Sequence, residues 1–128
     1  MILVATLAIL LMAASCGRSE RPEVADWQPT WETATLLLPL QEELGDPPDR
    51  ETCSRVLGDL SAVVPELFPT PDIAIEGTVR DWVTIAEDAM YECPPSSAQL
   101  PDLDHAYGEL ARLEVEVDAV LAMEADGT

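Results

Sequence analysis

The stretch DRETCSRVLGDLSAVVPELFPTPDIAIEGTVRDWVTIAEDAMYEC, residues 49–93, decides how this chain folds. Its apolar residues Cys53, Val56, Leu57, Leu60, Val63, Val64 and Leu67 recur at steps of three and one, so that three- and four-residue spacings align them on one face of an α-helix. The helix begins near Asp49, and Pro65, Pro69 and Pro71 end it. Asp72 is suited to cap a following helix with the apolar face Ile75, Val79, Trp82, Val83, Ala86, Met90 and Cys93, stopped by Pro94 and Pro95. Cys53 then lies at the start of one helix and Cys93 at the end of the next. In an antiparallel hairpin those ends are neighbours, close enough for a disulfide to join them.

Working outward, the spacing predicts an earlier helix from a Thr30 cap through Trp31, Ala34, Leu37, Leu38, Gln41 and Leu44, ended by Gly45, Pro47 and Pro48 and kinked or split at Pro39. A last helix is expected from about Pro101 through Leu103, Ala106, Tyr107, Leu110, Leu113, Val117, Val120 and Leu121, with Glu109, Glu114, Glu116 and Asp118 at the other positions. Period-two alternation is confined to a few residues around Val115–Val117. The expectation is an all-α fold: a small bundle of three or four helices with one disulfide-stapled antiparallel hairpin, spanning residues 29–125. Before it, GRSERPEVADWQ (residues 17–28) is polar and aperiodic and reads as a spacer without fixed structure.

Residues 1–12, MILVATLAILLM, are uncharged, and the small residues Ala13, Ala14 and Ser15 lead to Cys16. This is the layout of a secretory signal. A fifteen-residue helix would reach only about 22 Å, short of a hydrocarbon core of about 30 Å. Ala13-Ala14-Ser15-Cys16-Gly17 resembles the lipobox of bacterial lipoproteins, although Ala13 stands where that family usually has Leu and no Lys or Arg precedes the apolar run. The resemblance implies cleavage after residue 15, leaving residues 16–28 as the spacer, and a diacylglyceryl lipid on Cys16. Two acyl chains give the stable membrane binding that one does not. An uncleaved apolar anchor and plain secretion are the alternatives. With Cys16 assigned to lipid, Cys53 and Cys93 remain as the one pair in an oxidising compartment. Closing a loop of about 40 residues is worth about 4 kcal/mol in the chain-entropy account, a useful staple for a small core.

Acidic residues outnumber basic ones 25 to 6, the formal net charge is −19, and every basic residue is Arg. Such a field argues against nucleic acid as a partner and repels anionic headgroups, so the folded part should stand off the membrane rather than lie on it. No cofactor is implied. His105, the lone histidine, has Asp102, Asp104 and Glu109 nearby but no second His or Cys to complete a metal site. The pairs Glu42 with Glu43 and Glu114 with Asp118 read as solvated helix faces. Ser54, Ser61, Ser96 and Ser97 lack a nucleophile elbow. The aromatics Trp27, Trp31 and Tyr107 are the candidate binding surface, Trp27 and Trp31 lying one helical turn apart, although Trp31 also suits a core position. The sequence therefore points to a membrane-tethered, extracytoplasmic lipoprotein, non-enzymatic, acting as a structural module or docking with another envelope protein. The alternative is a small-molecule or ion-binding accessory protein with a cleft between the first and last helices, lined by Trp31 and Tyr107.

Overall fold

The computed structural model describes residues 20–45, 48–93 and 100–126, with side chains of the last segment described from 103 to 125. They form four α-helices: α1 (Val24–Leu37), α2 (Arg50–Val63), α3 (Ile73–Tyr91) and α4 (Leu100–Asp126). Short 3-10 turns, Gln41–Leu44 and Val64–Leu67, follow α1 and α2, and no strand occurs among the described residues.

The central hairpin folds as its pattern predicts. The Asp49 carboxylate accepts from the Thr52 backbone N–H, closing the amino end of α2, and Asp72 accepts from Ala74 N–H at the start of α3. α2 gives way to the 3-10 turn where Pro65 removes a donor. Cys53 and Cys93 are disulfide-bonded, with Cα atoms 6.0 Å apart, and both are buried. α2 and α3 are thus antiparallel, and α4 returns chiefly against α3.

α1 differs from its expected form. It begins six residues before Thr30, at Val24, so Val24–Gln28 of the expected spacer are helical. The physical signal is a stripe of Val24, Trp27, Trp31, Ala34 and Leu38 at steps of three, four, three and four. Pro29 sits within this helix on its exposed side. Pro39 splits rather than kinks the segment: α1 stops at Leu37, and a separate 3-10 turn carries Leu44 into the core. Gly45 follows it at φ 92°, in the left-handed region that favours glycine.

Two clusters make up the core. The larger joins Trp27, Trp31 and Ala34 of α1 to Leu60, Val79, Trp82, Leu110 and Val117. The smaller surrounds the disulfide with Leu44, Val56, Met90 and Leu103. At the opposite end from the disulfide, Arg21 Nη1 donates to Thr70 O (3.0 Å) and to Glu76 Oε1 (2.9 Å). Thr70 is fully buried, and its hydroxyl donates to Asp72 O at 2.7 Å. The chain is thereby fixed to the bundle from Arg21 onward.

Candidate functional site

The candidate aromatic surface does not exist as one. Trp27 and Trp31 are each only 2% exposed, a correction that follows from the earlier start of α1, which turns both indoles inward. Their rings stack with centroids 5.7 Å apart, and Trp31 meets Trp82 edge-on at 5.1 Å. Trp27 Nε1 donates to Leu67 O at 2.8 Å, and Trp31 Nε1 to Asp118 Oδ1 at 3.2 Å. Tyr107 lies elsewhere, packed against the disulfide cluster, where its hydroxyl donates to Pro39 O at 2.9 Å. Burial, with Glu43 nearby, pushes its phenol up to about 12. The two tryptophans are core residues, Tyr107 is half-buried, and the fold does not bring it to them.

A groove does open between α1 and α4. Its volume is about 270 Å³, and Gln28, Trp31, Glu32, Glu114, Asp118 and Leu121 are among its lining residues. The expected cleft is thus present without Tyr107. Its walls are acidic, and Glu114 departs from the expected solvated face: it is half-buried, and desolvation, with some repulsion from Asp118, pushes its carboxyl above the usual range. Trp82 Nε1 is buried without a hydrogen-bond partner, and the Glu114 carboxyl lies against it without completing hydrogen-bond geometry.

The other sequence candidates are dispersed. His105 is exposed beside a hollow of about 320 Å³ between α3 and α4, floored by Ile85, Ala89, Leu103 and Ala106. Glu109 on its rim pairs with Arg112 at 2.7 Å, which holds its carboxyl low. Asp104 accepts a hydrogen bond from Gln41. Among the described residues no three His, Cys, Asp or Glu side chains gather to hold a metal ion. Glu42 and Glu43 are exposed on the 3-10 turn, and Ser54 and Ser61 are exposed on α2. Cys16, Ser96, Ser97 and the Asp102 side chain lie outside the described residues.

The site residues sequence reasoning missed are Arg21 and Thr70. An Arg in a polar stretch and a Thr between prolines carry no periodic signal, and only the tertiary fold pairs them across 49 positions. The chain is a disulfide-stapled helical bundle, and no helix among the described residues is long and apolar enough to cross a membrane. Compared with protein-family models, curated proteins and solved structures, it matches none.

Proposed function

We propose that this protein is a bacterial envelope lipoprotein, exported, cleaved before Cys16 and anchored through a lipid on that residue, whose bundle serves as a non-enzymatic interaction or structural module. The observation that carries the reading is the Cys53–Cys93 bond. It suits an oxidising, extracytoplasmic compartment and leaves Cys16 as the one cysteine with no disulfide partner in its own chain. Leu36, Leu40 and Tyr91, all strongly exposed around the disulfide end, are the kind of side chains a protein partner would cover. Fractionation tests the anchor: Cys16→Ser should move the protein from the membrane to the soluble extracytoplasmic fraction, and retention in the membrane would favour an uncleaved apolar anchor. Crosslinking of intact cells tests the partner, since recovery of no specific envelope protein at native salt counts against docking.

A second reading rests on the α1–α4 groove. Carboxylates of Glu32, Glu114 and Asp118 beside the Trp31 indole suit a small organic cation. Calorimetric titration with a diamine at low salt tests it, with saturable binding that Glu114→Gln weakens as the supporting result and no saturable heat as the opposing one.

A further inference from the structure

Arg21 changes what the tether can do. Five residue steps separate it from Cys16, and an extended chain covers at most about 18 Å in that distance. Part of that reach is used within a headgroup layer of roughly 5–8 Å per leaflet. Arg21 itself is bound to Thr70 and Glu76, with its side chain largely shielded. The tether therefore ends at Arg21 and not at the end of a thirteen-residue spacer. The same end of the bundle holds the start of α1, the start of α3 and the end of α4, since Asp72 and Glu124 interact there and Pro22, Pro71 and Glu124 line one hollow. Exposed Ile73 and Met123 flank it.

We infer that the bundle stands upright over the bilayer, its Arg21–Thr70 end, with Ile73 and Met123, facing the lipid headgroups, and its Cys53–Cys93 end pointing outward. Two effects combine to give this posture. The short tether keeps one end near the surface, and the net charge of −19 makes it unfavourable for the long sides to lie down on anionic lipid. α3, with 19 residues, carries the disulfide end roughly 28 Å further from the membrane. Leu36, Leu40 and Tyr91 are then at the height where another envelope protein can reach them.

This inference rests on the proposed anchor, and one experiment separates the two. The full-length lipidated chain is placed in nanodiscs of phosphatidylcholine and anionic phosphatidylglycerol containing a small admixture of gadolinium-chelating lipid, and backbone amide broadening is read along α3. Broadening is expected to be about tenfold or more greater at residues 73–76 than at 88–91, given the roughly 22 Å between them. Arg21→Ala, which frees the tether as far as α1, should flatten this gradient while co-fractionation with the discs is unchanged. A uniform or reversed gradient in the disc-bound protein, or a gradient indifferent to Arg21→Ala, overturns the upright placement while leaving the anchor standing. Failure of the lipidated chain to enter the disc fraction overturns both.

Discussion

At the level of single residues, the polar contacts decide more than the polar composition suggests. Thr70 is the one buried polar side chain among the described residues, and its hydroxyl both donates to Asp72 O and meets Arg21. Thr70→Val keeps the shape and removes the hydroxyl's bonds to Asp72 O and Arg21, while Asp72 O keeps the Ile75 N–H, so it should cost about 1 kcal/mol in denaturant unfolding, and a neutral result would show that the hydroxyl's bonds do not contribute. Glu114 carries an opposite lesson. Burial raises its carboxyl pKa in the folded state, so the folded chain binds a proton more readily than the unfolded one. Its contribution favours folding below the unfolded carboxylate range and is lost as pH rises through the raised folded value. Glu114→Gln should therefore raise the melting temperature at pH 7, with the gain fading on acidification through the carboxylate range. An equal gain at acid pH would contradict that origin. Glu76 behaves in reverse: Arg21 holds its carboxyl low, so the stability of that latch is present at neutral pH and lost as pH falls below the usual carboxylate value.

The helices were legible to the extent that they carry caps and uninterrupted stripes. Asp49 and Asp72 cap α2 and α3 as their positions predict, and the two cysteines meet because the hairpin places them at one end. α1 was harder to read, because Pro29 and the acidic residues around it hide a stripe whose three-and-four spacing is otherwise regular. What could not be read was which aromatic joins which cluster, since Trp31 and Tyr107 are separated by the packing of whole elements and not by anything local. The bridge between the helix ends invites a direct test. The double variant Cys53→Ala/Cys93→Ala should lose about 4 kcal/mol, the entropy of a loop of about 40 residues, with its helical circular dichroism at low temperature retained. Loss of all helical signal would show that the hairpin needs the bridge to form, and no loss of stability would show that the denatured chain already keeps those ends together.

For the molecule as a whole, charge acts against the proposed tether. A net −19 on 128 residues makes the folded state self-repelling, and ion pairs such as Arg112 with Glu109 and Glu116 relieve only a small part of it. Added sodium chloride should therefore raise the melting temperature as the Debye length contracts from about 30 Å at 0.01 M to about 8 Å at physiological strength. A fall would indicate that local ion pairs dominate. The same field discourages contact between its sides and an anionic surface, so in the proposed account a lipid on Cys16 is what holds the protein at the membrane. Intact mass of the protein extracted from membranes, before and after reduction, tests this most directly. The account predicts a chain that lacks residues 1–15, carries the added mass of a lipid, and on reduction gains one hydrogen on each sulfur of Cys53 and Cys93. A chain that retains residues 1–15 without lipid, or whose mass does not change on reduction, would contradict it.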